Sequence, residues 1–231
     1  MKKILIAVSA LIAFWGVYVF SQEGTATKPA ATTGLSGSGS VISNFTIDDF
    51  EDAGSWQGHM PIDLGLIRVL RREGAPGELK KEGKQNKYVL GAKVAYFKTG
   101  PSWFAVTPPR PVPIPGIAKS FSLWVAGRSF SHILKATFKD YNGELRFCTF
   151  GKLNFPGWQK MSAQISPNVL QDNYKLNSLD RPRGISVTSL LIECAMEETS
   201  GEYYLYVDDF KAQTDVFFEE NKDPDDIQDN W

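Results

Sequence analysis

Short strand-like segments recur along most of this chain, and they restrict its fold more than any other feature. Phe121, Leu123 and Val125 alternate with small or polar residues, as in a strand with one buried face. Asn142-Gly143 lies between two apolar segments and predicts a hairpin turn. The segments with strand character are 44–50, 67–70, 93–99, 120–127, 133–141, 145–150, 158–165, 187–195 and 202–214. No long amphipathic helix pattern accompanies them.

Many short strands joined by long loops predict an all-β fold, a jelly-roll-type β-sandwich spanning residues 41–215. The segment 101–117 carries six prolines, so we expect an extended crossover there and not a central strand. Residues 74–87 are polar and predict a loop, and 166–184 show no strand pattern. One domain with one core is the expectation at this length.

Residues 1–21 have the layout of a secretory signal peptide. Lys2 and Lys3 form a positive start, residues 4–20 are apolar, and small residues precede a cleavage point before Gln22. An uncleaved anchor is the alternative, although the apolar run is slightly short for a membrane span. We therefore expect an exported protein that has no membrane segment after cleavage.

Two terminal segments have compositions unlike that of the predicted domain. Residues 22–40 are rich in Gly, Ser, Thr and Ala and predict a flexible linker. Residues 216–231 form a strongly acidic tail, for which a solvated segment is the simplest interpretation. Phe217, Phe218 and Trp231 favour an alternative in which the tail docks on the domain or on a partner.

Charge and motifs exclude several functions. The formal net charge is −1, which lacks the basic field of a nucleic-acid-binding protein. His59 and His132 are isolated in the sequence, and no nucleophile, metalloprotease or Cys–His signature is present. Carboxylate pairs for glycoside hydrolysis occur in any chain with this many acids, so none stands out. We therefore expect no enzymatic activity and no catalytic residues.

The two cysteines, Cys148 and Cys194, each lie in a predicted strand. Outside the cytoplasm, an even number of cysteines raises a Cys148–Cys194 disulfide as one alternative. Two buried free thiols are the other, because Cys packs well as a small apolar side chain.

Carboxylates cluster at both ends of the predicted domain, in residues 48–52 and in residues 207–210. If the first and last strands are neighbours, Asp49, Glu51 and Asp209 could bind a structural Ca²⁺, which takes several oxygen ligands. The alternative is that these acids cap turns and face solvent, since none follows a loop-type calcium motif. No other cofactor is expected.

Trp103 is the best single candidate for an interface anchor, because it lies in the Pro-rich segment and aromatic side chains there can stack on sugars or partners. The opening Asp49-Phe50-Glu51 with a nearby Trp, and the closing Asp-Asp-Phe, are similar to several carbohydrate-binding β-sandwiches. That similarity supports a fold like those of carbohydrate-binding modules and galactose-binding domains. It leaves a periplasmic carbohydrate-binding module as the alternative function.

The central segment, residues 120–166, resembles the spirochaetal flagellar filament outer-layer (sheath) protein A family. The matching elements are W-V-x-G-R (124–128), H-x-L (132–134), D-Y-x-G (140–143) and G-x-L-N-F-x-G-W (151–158). The closing strand, 204–215, also fits, and the resemblance spans about 41–215.

This resemblance implies a structural role in the periplasm. Such a protein would coat the periplasmic flagellum, contact the flagellin core and other coat proteins, and influence filament shape and motility. No enzymatic activity is implied. The carbohydrate-binding alternative can coexist with this role, because a coat protein could bind a glycan on the core.

Overall fold

The computed structural model describes residues 40–81, 86–172 and 184–216, and their strands run antiparallel in two sheets. The strands are β1 (Ile42–Asp48), β2 (Gln57–His59), β3 (Gly65–Glu73), β4 (Tyr88–Tyr96), β5 (Ser102–Thr107), β6 (Val112–Pro113), β7 (Ile117–Ala126), β8 (Ile133–Lys139), β9 (Leu145–Lys152), β10 (Trp158–Gln164), β11 (Ser186–Cys194) and β12 (Glu202–Asp215). Short helical segments cover α1 (Gly77–Lys81) and two 3₁₀ turns, Ala53–Ser55 and Met196–Glu198.

The first sheet has the order β10-β7-β12-β4-β3, with β1 also paired to β12. The second sheet has the order β2-β5-β11-β8-β9, with β6 also paired to β11. Strand β12 organises the first sheet because its 14 residues pair with β7 on one edge, and with β4 and then β1 on the other. The predicted all-β class and the two-sheet sandwich are confirmed.

Alternating side chains build the core between the sheets. Phe121 of β7 is fully buried and lies 5.9 Å from Phe138 of β8 and 5.7 Å from Phe210 of β12, measured between ring centroids. Leu123 and Val125 share that buried face, as their alternation predicted. Burying a side chain of this size stabilises a fold by about 1.5–3 kcal/mol, so the aromatic contacts between the two sheets account for much of the packing.

The Pro-rich segment contains a central strand, and the prediction of a crossover throughout 101–117 was wrong in this part. Strand β5 pairs with β2 on one side and with β11 on the other. Its six residues lie between Pro101 and Pro108, so each of them keeps the backbone N–H that a sheet ladder requires. The prolines therefore begin and end this strand and do not interrupt it.

The predicted hairpin at Asn142-Gly143 is confirmed between β8 and β9. Gly143 has φ 84°, and its N–H donates to the carbonyl oxygen of Asp140 at 2.9 Å. The Asp140 carboxylate accepts hydrogen bonds from the backbone N–H groups of Asn142 and Glu144, which fixes the turn.

The described residues all belong to one compact unit, Ser38–Trp231. Within them, no helix has the length and apolar character needed to cross a membrane. The predicted signal peptide, the linker up to residue 39, and the tail candidates Phe217, Phe218 and Trp231 lie outside the described residues.

Candidate interaction surfaces

The outer face of the first sheet carries a row of side chains that crosses five strands. Register places Leu70, Gly91, Tyr206, Ala126 and Trp158 side by side, on β3, β4, β12, β7 and β10. The Arg72 side chain and the Tyr206 ring lie over Gly91, which leaves no room for a side chain at that position. Leu70 is 42% exposed at one edge of the row, and Trp158 is half-buried at the other.

A second tyrosine and several cations complete this surface. We name it the tyrosine platform and define it by the following residues: Arg68, Leu70, Arg72, Lys93, Arg128, Trp158, Lys160, Tyr204 and Tyr206. The Arg128 guanidinium carbon lies 5.4 Å from the ring centroids of both Tyr204 and Tyr206, and the Lys93 ammonium lies 5.3 Å from that of Tyr204. These are cation–π distances, so the cations and rings form one connected surface.

A turn that contains two residues with left-handed backbone conformation places Arg128 over the two tyrosine rings. Arg128 and Ser129 have φ values of 54° and 62°, and the N–H of Phe130 donates to the Gly127 carbonyl oxygen to close the turn. Non-glycine residues in this conformation cost about 1–2 kcal/mol each. Contacts around the turn offset that cost, since Ser129 N donates to the Phe155 carbonyl at 3.0 Å.

The platform is rich in positive charge. Arg68, Arg72, Arg128 and Lys160 are exposed and form no ion pair with a described carboxylate. Glu202 is the acid at its border, and it pairs with Lys93 at 2.6 Å while accepting a hydrogen bond from the Tyr204 hydroxyl at 2.7 Å. Five cations therefore face one exposed carboxylate, so the platform has an excess of positive charge.

Trp103, the predicted interface anchor, lies on β5 and is 43% exposed. It borders a groove of about 420 Å³ whose lining includes His59, Met60, Ile62 and Leu66. Ile62 is 80% exposed and Leu66 is 57% exposed. This grouping of exposed apolar side chains supports the prediction that Trp103 belongs to an interface.

The first and last strands are neighbours, as the calcium hypothesis required, because Asp48 pairs with Phe210. The three predicted ligands nevertheless have other partners. Glu51 accepts hydrogen bonds from the backbone N–H groups of residues 87 and 88, Asp49 accepts one from Glu51 N, and Asp209 lies 2.5 Å from the Lys211 ammonium. Among the described residues, no group of three or more His, Cys, Asp or Glu side chains is placed to hold a metal ion.

A bulge in β12 explains why Asp209 does not lie with Asp49 and Glu51 in a metal site. Register shifts between Asp208 and Lys211, and Asp209 has φ 48°. Asp208 is the acid that is enclosed there, where it is fully buried and accepts a hydrogen bond from the Asn86 side chain at 2.8 Å. Burial, with smaller contributions from Asp209 and Glu51, raises the pKa of Asp208 from 3.8 to about 7.

Cys148 and Cys194 are both free in the structure, Cys148 buried and Cys194 half-buried, which favours the alternative of two free thiols over the disulfide. Register explains the result. Cys148 lies opposite Ala136, which lies opposite Leu190, and Cys194 is four residues further along β11. Four residues of strand span about 13 Å, far beyond the reach of a disulfide.

His132 is fully buried within a polar cluster inside the core. Its Nδ1 accepts a hydrogen bond from Ala195 N at 3.1 Å, and its Nε2 lies 3.2 Å from the Tyr96 hydroxyl. Burial lowers the pKa of His132, and Tyr96 also lies 3.2 Å from the sulfur of Cys194. The cluster therefore holds a neutral imidazole as a hydrogen-bonding residue of the core.

Sequence reasoning missed Tyr204, Tyr206 and Arg128. The available signal was the alternation in EYYLYV, which places both tyrosines opposite the buried Leu205 and Val207. Arg128 ends the W-V-x-G-R element, but its position over two rings on a strand far along the chain was not visible in that element.

Comparison with known proteins gives a family and several structural likenesses. The family model described as FlaA, flagellar filament outer layer protein, matches residues 25–221. A flagellar filament outer layer-like protein of Brachyspira hyodysenteriae is 39% identical over 219 residues, covering 92% of this chain and all of the relative.

The solved structures that resemble this chain include β-sandwich carbohydrate-binding modules. One module of the β-sandwich superfamily is 11% identical with a TM-score of 0.49, over 71% of this chain and 60% of that one. A family 11 module of a Clostridium thermocellum cellulase is 14% identical with a TM-score of 0.41, over 74% and 95%. Both likenesses are distant, so the fold assignment rests on the sheet topology described above.

Proposed function

Because the chain belongs to the FlaA flagellar filament outer layer protein family, we propose that it is a coat subunit of a periplasmic flagellum. In this role it associates with the flagellin core and with other coat proteins, and it influences filament shape and motility. Family membership over residues 25–221 is the observation that carries the proposal.

The surfaces of the domain support a role in assembly. The Trp103 groove and the tyrosine platform are separate exposed surfaces that can each contact a neighbouring protein. Aromatic side chains with partial exposure commonly anchor such contacts. A subunit with two contact surfaces gains avidity when many copies line a filament, even if each contact is weak.

The proposed location follows from the N-terminal sequence. Lys2, Lys3 and the apolar residues 4–20 favour export, with cleavage before Gln22. N-terminal sequencing of the chain recovered from cells tests this step directly. A chain that retains its first residues would contradict the cleavage while leaving the coat role open.

We propose a structural role without catalysis. His132 and Tyr96 are buried and Cys194 is half-buried, and the three form the core cluster described above. Burial raises the pKa of Cys194 to about 11, so its thiol is a poor nucleophile at neutral pH.

Deletion of the encoding gene, followed by imaging of purified filaments, tests the proposal. We expect filaments with altered diameter or curvature and cells with reduced motility, both restored by the intact chain. Trp103→Ala should restore filaments incompletely, whereas Phe147→Ala, which removes another exposed aromatic ring on the second sheet, serves as a matched control. Absence of the chain from purified wild-type filaments would refute the coat role.

A carbohydrate-binding role is the second candidate, favoured by the exposed Trp103 beside its groove. A coat subunit could grip a glycosylated core through stacking of sugar rings on that indole. Binding on a glycan array that is lost in Trp103→Ala would support this function. Absence of binding to every glycan on the array would refute the carbohydrate-binding function.

A further inference from the structure

We propose that the acidic segment 217–231 of one copy of this chain binds the tyrosine platform of the next copy. The inference names the partner of a surface that the coat role leaves unassigned, and it rests on that proposed role. It joins two features that are otherwise unexplained, the cationic aromatic surface and the acidic tail.

Charge complementarity is the first argument. Residues 217–231 contain six Asp and Glu residues and one Lys. The platform presents Arg68, Arg72, Arg128 and Lys160, which form no ion pair among the described residues, and Lys93, which pairs with Glu202. Opposite charges on two partners favour association and steer the encounter.

Apolar complementarity is the second argument. The segment begins with Phe217 and Phe218 and carries Trp231. The platform presents the exposed Leu70 and the half-buried rings of Tyr204, Tyr206 and Trp158, against which these aromatic side chains can pack. Trp, Tyr and Arg side chains are the residues most enriched at interface hot spots.

The direction of β12 is compatible with binding between copies. Tyr204 and Tyr206 lie near the start of this strand, and nine residues of strand, about 30 Å, separate Tyr206 from Asp215. The end of β12 is fixed, because Asp215 pairs with Ile42 and with Ile117. The segment therefore leaves the domain at the opposite end of the sheet from the platform.

A donor at one end and an acceptor at the other produce a head-to-tail contact. Such a contact uses two different patches, so it does not close on itself in a dimer and can repeat indefinitely. Repetition along a line is the geometry that a filament coat needs.

Three purified forms of the chain test the inference by sedimentation at low salt. The first is the intact chain, the second ends at Val216, and the third carries Arg68→Glu with Arg72→Glu. A double reversal at Arg110 and Lys139, two exposed cations outside the platform, is the matched control. Circular dichroism confirms that each form is folded.

We expect the intact chain and the control to self-associate as concentration rises, and salt of about 0.5 M to weaken that association roughly tenfold or more. The truncated chain and the platform variant should each remain monomeric alone. An equal mixture of these two should form a heterodimer and nothing larger, because one form supplies the segment and the other supplies the platform.

Several outcomes would overturn the inference. The inference fails if the truncated chain or the charge-reversed variant still self-associates. It also fails if the intact chain does not self-associate, or if the mixture forms no heterodimer. A labelled 217–231 peptide that binds the truncated chain but not the intact monomer would show binding within one copy, which also contradicts the proposal. If the intact and truncated chains both restore filaments in the deletion strain, the coat role stands and only this inference fails.

Discussion

Replacing Asp208 with Asn should stabilise the protein at neutral and alkaline pH. Asp208 is fully buried, and its pKa rises from 3.8 to about 7 on folding, mainly because burial disfavours the charged carboxylate. Between these two pH values the unfolded chain has released the proton while the native protein still holds it. The free energy of unfolding contributed by this group therefore falls as pH rises through that window.

The size of the effect follows from the pKa change. Folding with a carboxyl whose pKa rises from 3.8 to about 7 costs up to about 4 kcal/mol once the pH exceeds the higher value. Asn cannot ionise and avoids that cost. For a domain of this size, about 4 kcal/mol corresponds to a rise in Tm of roughly 10 °C.

Asn at position 208 can keep the hydrogen bonds that the Asp208 side chain makes. The Asp208 carboxylate accepts from Asp209 N at 2.8 Å, and the amide oxygen of Asn can do the same. Its other oxygen accepts from the Asn86 amide, whose own Oδ1 is buried without a donor among the described residues. Rotation of the Asn86 amide would let that oxygen accept from the new side-chain NH₂ group.

Chemical denaturation of the wild-type chain and D208N, from about pH 4 to about pH 8, measures the difference. We expect it to be small at the acidic end and to grow to a few kcal/mol in favour of D208N at the alkaline end. Asp63→Asn makes the same chemical change at an exposed residue that pairs with Lys98, and should show no such growth. A difference that does not vary with pH, or a D208N chain that is less stable at about pH 8, would refute the reasoning.

Three further predictions concern packing and metal binding. Phe121→Ala should lower the free energy of unfolding by about 3–5 kcal/mol because it empties the centre of the core, and a smaller loss in denaturant titrations would contradict this packing. Gly127→Ala should cost about 1–3 kcal/mol, since its Cβ would lie 2.3 Å from the Leu153 carbonyl oxygen; an unchanged Tm would show that the turn can shift freely. EDTA should leave Tm unchanged, because Glu51 and Asp209 already bind protein groups, whereas a lower Tm restored by calcium would support the predicted metal site.

The fold class was predictable because the information was local. Alternation in β7 identified Phe121, Leu123 and Val125 as one buried face, and Asn142-Gly143 identified a hairpin. The prediction failed at β5 because the proline content of the whole segment does not show where the prolines lie. Pro101 and Pro108 flank β5 and leave the residues between them able to pair.

The site was less predictable because its residues meet through pairings that are distant in sequence. Which of Asp208 and Asp209 is enclosed depends on a bulge, and a one-residue shift exchanges the two faces of a strand. Arg128 reaches Tyr204 and Tyr206 only because β7 and β12 are neighbours. Burial of His132 likewise depends on contacts with Tyr96 and Ala195 from other strands and loops.

The place of β12 also sets the order in which the molecule can be completed. This strand is the last of the described residues' strands, yet it lies in the middle of the first sheet, between β7 and β4 and beside β1. Until β12 is available to pair, β1 and β4 have no common neighbour and the first sheet has a gap at its centre. If the chain is exported from its N-terminus, as proposed, we expect the first sheet to remain open until β12 has crossed the membrane, and to close only then.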